Sequence, residues 1–375
     1  TNGSGFIAVN VSNINISTIN NGAVYISGYA NGSNSTGLTI PLNSTANLIA
    51  SGNGSLYLLG RSNTGTGLAG LPGNITNTGN GTVRYTGISY LVDGISLSNA
   101  TGLNNTANGT IDLVGTSFLG AGVNISLGNI TATRVNGTVN ITGSSTNGFG
   151  VRIANNITAI NINISGYSNN SAGLVFSAGA QNMTGNVSLL GSSAESSGLV
   201  FAGGNQSINS TIGNTTRIIG ISGNSTNSSQ YGLNLSSASV IVTQNGGNVI
   251  YAGTGNAGYG VFVGGAGATG FTLINTAIVG SSYNATGVYT TSNITNTNGN
   301  ITGFSVFGAG VSFAAGNQNL TGNSVIYGSS RESTGVVFAG GSTTINVTTG
   351  NTSTITGITG NTTNASVVGL NITTP

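Results

Sequence analysis

Ser192-Ser193-Ala194-Glu195-Ser196-Ser197-Gly198-Leu199-Val200-Phe201-Ala202-Gly203-Gly204 returns 137 residues later as Ser329-Ser330-Arg331-Glu332-Ser333-Thr334-Gly335-Val336-Val337-Phe338-Ala339-Gly340-Gly341. The match extends without a gap from residues 172–236 onto 309–373. Inside this duplicated block lies a finer unit: an apolar residue, any residue, Gly, a short polar loop, then Gly and another apolar residue. Ile164-Ser165-Gly166 to Gly173-Leu174 is one example, Ile326-Tyr327-Gly328 to Gly335-Val336 another. The unit occurs thirteen times, with its second glycine at 37, 67, 94, 122, 150, 173, 198, 232, 260, 287, 310, 335 and 369. The mean spacing is about 28 residues, and five units make one block.

Three columns of the repeat are apolar. The residue after the second Gly is Leu, Ile or Val in every copy, and the third residue after it is apolar everywhere except Gly70 and Thr290. Two residues before the first Gly stand Ile26, Leu58, Tyr85, Leu113, Ile141, Ile164, Leu189, Ile221, Tyr251, Ile278, Ile301, Ile326 and Ile358. Alternation with period two marks half-buried strands. A coil of about 28 residues has too little apolar surface to fold alone and must stack on its neighbours. The sequence therefore predicts an all-β fold, a single-stranded parallel β-helix (β-solenoid) of about 13 coils. Right-handed winding is expected from the strong preference of parallel crossovers. With strands about 4.8 Å apart, such a stack makes a rod of roughly 60 Å. It reads as one continuous solenoid over 1–375, with a five-coil block near 95–235 repeated near 232–373, cut from a longer chain. The glycine pairs are read as tight corners, Gly being free to take φ > 0 there.

Composition agrees with an ordered repeat. Gly, Asn, Ser and Thr supply 218 of 375 residues, yet Val, Ile and Leu recur throughout and only 3% of residues are charged. Disordered chains combine low hydrophobicity with high charge instead. The net charge of +2 comes from six arginines and four acids, with no Lys and no His. Arg61, Arg84, Arg134, Arg152, Arg217 and Arg331 are scattered, whereas a nucleic-acid binder gathers its cations on one face. Cysteine is absent, which removes disulfides and thiolate chemistry. No apolar run approaches the ~18 residues of a membrane span.

Catalysis lacks its usual parts. Acid–base work on sugars takes two carboxylates roughly 5–10 Å apart, and the chain has only Asp93, Asp112, Glu195 and Glu332. Glu195 and Glu332 occupy one position in two copies of the block, and Asp93 and Asp112 are expected on different sides of adjacent coils. A serine nucleophile would need a base, and four scattered acids do not make a calcium cage. The chain is thus expected to be no enzyme, with no catalytic, cofactor or metal site.

The strongest functional signal is Asn-x-Ser/Thr. Of 55 asparagines, 36 open this glycan-acceptor pattern, against about 14 expected from composition. Alternation produces part of the excess, because Asn and Ser/Thr flank the inward residue in Asn140-Ile141-Thr142, Asn163-Ile164-Ser165 and Asn300-Ile301-Thr302. Others fall in polar loops, as at Asn169, Asn224, Asn227, Asn284, Asn361 and Asn364. Together with Asn34, Asn124, Asn234 and Asn371 these are the candidate N-glycosylation residues. Covalent N-linked sugars are expected on several, and they imply an exported surface protein. Among aromatics, Phe176, Phe201, Phe313 and Phe338 share an inward column and are read as a core stack. Tyr29, Tyr167, Tyr259 and Tyr283 are placed in corner loops, available to sugars or a neighbouring rod.

A cysteine-free parallel β-helix of Gly/Asn/Ser/Thr-rich coils, with dense sequons and a block duplication, resembles the shafts of filamentous-haemagglutinin-like exoproteins of Gram-negative two-partner secretion. Within that group it looks most like the high-molecular-weight adhesins. The resemblance covers the whole chain and rests on repeat architecture. It implies a secreted protein on the outer surface of a bacterium, exported by an outer-membrane secretion partner. It also implies sugars added at Asn-x-Ser/Thr by a cytoplasmic glycosyltransferase, and adhesion to a host-cell surface or to sibling bacterial cells. Such shafts carry more Lys, Asp and Glu than this chain. A rival reading is a self-assembling surface filament, sheath or S-layer-like protein, held by lateral homo-association.

Overall fold

The computed structural model describes residues 7–373 apart from 11–14, 19, 41–46, 51, 71–73, 99–101, 106, 127, 135, 212, 237–238, 246–247, 265–269, 361 and 363–365. The described residues form strands and turns with no helix, so none is long and apolar enough to cross a membrane. The strands stack in parallel as a β-solenoid. The chain divides into two compact units, Thr1–Leu189 and Leu190–Pro375.

In each unit a coil contributes three strands. The first is short and follows the second Gly. In the first unit Val123–Ile125, Val151–Ile153 and Leu174–Phe176 pair in register, and in the second Val261–Val263, Val288–Thr290 and Val311–Phe313 do the same. A second strand crosses the next side, and a third of six to eight residues runs through the first Gly, except where the two are continuous, as in the 12-residue strand Ile157–Ser168. Thr110–Ser117 thus lies between Thr82–Ser89 and Thr138–Ser145, with Gly87, Gly115 and Gly143 aligned. Alternation aims one set of side chains into the coil, where Leu113, Ile141, Val123 and Val151 are completely buried. The phenylalanine column is a core stack as expected: Phe313 and Phe338 lie in register with ring centroids 4.7 Å apart, and Phe176 and Phe201 are fully buried in their own units. Of the two breaks in the apolar columns, Gly70 takes a positive φ of 64°, while Thr290 is buried and holds the backbone of Ser292 with its hydroxyl.

Three expectations change. About 11 turns form, slightly fewer than thirteen. In the last coil Leu370–Ile372 has a neighbour on one side only, and Ile372 is 59% exposed. Next, Ile221 and Ile358 are not inward. The aligned glycines are Gly220 and Gly357, which sit beside Gly253 and Gly328, so the inward residues are Ile218 and Ile355. Ile221 is 38% exposed and Ile218 is not exposed at all. The corners after Gly220 and Gly357 are longer than the rest, and the apolar-x-Gly spellings Ile221-Ser222-Gly223 and Ile358-Thr359-Gly360 fall inside them.

Finally, the bracketing glycines do not take positive φ. The corner folds so tightly that a Cβ on Gly143 would overlap the carbonyl oxygen of Gly150, and the same clash recurs at Gly60 with Gly67, Gly253 with Gly260 and Gly328 with Gly335. Close backbone approach, not left-handed geometry, requires glycine here.

Candidate functional site: the outward ladders

The corner between the two glycines carries a device that the apolar pattern concealed. Two residues after the first Gly stands a serine, buried at Ser62, Ser89, Ser117, Ser145, Ser168, Ser282 and Ser330 and half-buried at Ser305. Each hydroxyl accepts from the backbone N–H three residues on, at 2.9 Å from Gly148 to Ser145 and 3.0 Å from Ser333 to Ser330. Each also donates to the corner of the preceding coil, as Ser145 does to the Gly120 carbonyl at 2.6 Å and Ser330 to that of Gly308 at 2.7 Å. One side chain therefore closes its own loop and tethers it to the one before. The sequence carries this as Gly-x-Ser inside the polar loop, where a serine's polarity alone does not show that it is buried. Buried Gln181 and Gln318 serve another corner by donating to backbone carbonyls, Gln318 to Gly316 at 2.8 Å.

With the corners fixed, the outward columns become ladders. Asp112, Asn140 and Asn163 lie in register, and each asparagine Nδ2 donates 3.0 Å to the carbonyl or carboxylate oxygen before it. Asn170 repeats this toward Asn147 at 2.6 Å. The candidate acceptors then sort by environment. Asn34, Asn163, Asn224, Asn227, Asn284 and Asn300 are exposed. Asn140, Asn169 and Asn371 are half-buried, as are Asn124 and Asn234 on the first strand. Asn124 donates 2.9 Å to Asp93, which also accepts from the Ala121 N–H at 2.8 Å. Asn234 holds its Oδ1 buried without a partner among the described residues. Asn361 and Asn364 lie outside the described residues.

The acids are dispersed among these ladders. Asp93 precedes Gly94 in a corner, Asp112 stands on a third strand, and exposed Glu195 and Glu332 sit at the same corner position in different coils. Arg331 lies 4.0 Å from Glu332 in an exposed ion pair.

The aromatics group more than the sequence indicated. Tyr29 and Tyr167 belong to strands Ala23–Ala30 and Ile157–Ser168, not to loops; Tyr259 and Tyr283 do lie at corners. Tyr259 joins Tyr231, Phe262 and Tyr289 in a stack with centroids 4.2 Å apart at its closest. Burial first, then Tyr289 and Tyr231, pushes the Tyr259 phenol up to about 12. Tyr25 stacks on Tyr57, and Tyr90 on Phe118, both at 4.7 Å. Tyr90, Leu91, Val92, Phe118 and Leu119 leave an exposed apolar corner on two consecutive coils. The rule is simple: parallel in-register stacking puts equal columns side by side, so an aromatic repeated at one column must meet its copy.

No protein-family model, no curated protein and no solved structure matches the chain.

Proposed function

We propose that this chain is an extracellular structural rod, the shaft of a glycosylated bacterial surface adhesin of the filamentous-haemagglutinin-like, two-partner secretion type. The reading gives it reach and surface, with no catalytic step. The observation that carries it is the pairing of inward apolar columns with outward and corner positions rich in Asn, Ser and Thr, among which sequon asparagines such as Asn163, Asn284 and Asn300 stand exposed. Buried columns supply stiffness, and exposed amides supply a repeated attachment chemistry. Intact-mass analysis of the protein from its native source tests the sugar. Added hexose on peptides containing Asn284 or Asn300 is expected, and unmodified mass throughout would remove glycosylation from the reading.

The rival filament reading is favoured by one feature, the exposed Tyr90–Val92 and Phe118–Leu119 corner, since apolar patches of this kind mark association surfaces. Ordered fibres from the isolated chain, abolished by Leu91→Ser with Leu119→Ser, would favour it over the shaft.

A further inference from the structure

Cys, Trp and His are absent from the chain, and its single methionine, Met183, is completely buried. Cysteine and methionine sulfur are the usual first targets of oxidation. An oxidant that reaches this protein in solution therefore meets tyrosine, of which there are twelve. Tyr85 and Tyr251 are sealed inside the coils.

Tyr259 and Tyr289 are arranged differently from the rest. They sit on consecutive coils of the second unit, Tyr259 just before the corner glycine Gly260 and Tyr289 in the strand Val288–Thr290, which pairs with Val261–Val263. Their rings lie 13° from parallel with centroids 4.2 Å apart, closer than Tyr25 and Tyr57 at 4.7 Å or Tyr231 and Tyr259 at 5.4 Å. The hydroxyl ends also lie together: after burial, the adjacent Tyr289 phenol does most to push Tyr259 up to about 12. Tyr231 stacks on Tyr259, and Phe262 lies 5.0 Å from Tyr231 and 6.1 Å from Tyr289, so four rings on three coils hold the pair in place. Both tyrosines are half-exposed. The aromatic run begins and ends within the unit, since the strand column reads Val200, Asn234, Phe262, Tyr289 and Ser312.

We propose that Tyr259 and Tyr289 are a modification site, coupled into dityrosine by hydrogen peroxide and a one-electron oxidant of the haem-peroxidase class, so that a covalent bond links two coils of a chain without cysteine. Each phenol gives one electron to the oxidant and its proton to water. The unpaired electron of each phenoxyl spreads onto the ring carbons beside the oxygen, and two such carbons on the facing rings form one C–C bond. Each of those carbons then loses its hydrogen as a proton while its oxygen regains one, which restores both aromatic rings. In sum, two tyrosines and one hydrogen peroxide give dityrosine and two waters. The new bond forms perpendicular to each ring plane, so face-to-face rings are already oriented for it, and holding them there makes the coupling unimolecular. Such a link suits a shaft or a filament alike and does not depend on attached sugars.

The test treats the dilute whole chain with hydrogen peroxide and a haem peroxidase, reads dityrosine fluorescence, and maps proteolytic fragments by mass. The expected product is a single-chain species in which the fragments carrying Tyr259 and Tyr289 are joined, at the sum of their masses less two hydrogens. Tyr289→Phe keeps the stacked ring and removes the phenol, and should abolish the joined fragment; Tyr259→Phe should do the same. Tyr283→Phe, at an exposed corner whose neighbouring ring is Phe307, should leave it unchanged. Circular dichroism checks that the variants keep their fold. Absence of the joined fragment, its appearance only in chain dimers, or dityrosine formed to the same extent in the Tyr259→Phe and Tyr289→Phe variants would overturn the proposal.

Discussion

Replacing Ser145 by alanine removes one hydroxyl and strands two backbone groups, the Gly148 N–H and the Gly120 carbonyl. Leaving buried polar groups unpaired costs about 1–3 kcal/mol, so Ser145→Ala should lower chemical-denaturation stability by that amount, while Ser144→Ala, on the outward side of the same strand, should be near neutral. Tyr85 presents the opposite case. Its ring is a fully buried member of the inward column, but its hydroxyl has no partner among the described residues, and burial pushes the phenol far above its ordinary range. Tyr85→Phe should therefore leave stability unchanged or raise it by about 1 kcal/mol, read as a shifted urea midpoint. That Tyr85 points inward was legible from its column. That its hydroxyl is orphaned was not, because hydrogen-bond satisfaction depends on what other coils bring near.

At the level of the element, strand Thr215–Ser222 tests register. The spelling Ile221-Ser222-Gly223 imitates the repeat, but pairing with Asn248–Gly255 aligns Gly220 with Gly253 and turns Ile218 inward. Ile218→Ala should cost about 2–5 kcal/mol, the range for an aliphatic side chain lost from a core. Ile221→Ala should change stability by less than about 0.5 kcal/mol, as surface substitutions do. Equal losses at the two sites would contradict this register. The misreading has a physical source. Two glycine-bearing frames three residues apart both satisfy the local pattern, and only contact with the neighbouring strand selects one. In-register stacking selected Gly220 because its Cα must pass against the carbonyl of Gly232, where no Cβ fits.

For the whole molecule the sparse charge sets the response to solution conditions. With four acids and no histidine, stability should vary little from acid to about pH 9, unlike proteins whose paired carboxylates must be protonated on unfolding. The alkaline side differs. Tyr259 and Tyr231 hold their protons more tightly folded than unfolded, chiefly through burial, and Tyr85 and Tyr251 do so more strongly. The unfolded chain then ionises first, above the ordinary phenol value of 10.0, so stability is intact below that pH and falls as pH rises from 10 toward about 12, where Tyr259 itself titrates. Thermal melts between pH 4 and 12 check this. A flat profile to pH 9 followed by a decline is expected, and Tyr259→Phe should lessen the decline.

The sequence by itself determined the coil. Period-two alternation, glycine-bracketed corners and the 137-residue duplication describe a unit that must stack to bury its apolar columns, and local pattern suffices for that because each column repeats. It also marked the exposed asparagines at Asn163 and Asn300, since alternation around an inward residue fixes their side, and Asn284 by its place in a polar corner. Only the tertiary structure decided which glycine frame is used at 220 and 357, why those glycines are required, and which serines are buried linkers. It alone assembled Tyr231, Tyr259, Phe262 and Tyr289 into one stack. Those residues lie on three coils about 30 residues apart, and nothing in their local spelling joins them; parallel in-register pairing brings them together by setting equal columns about 4.8 Å apart.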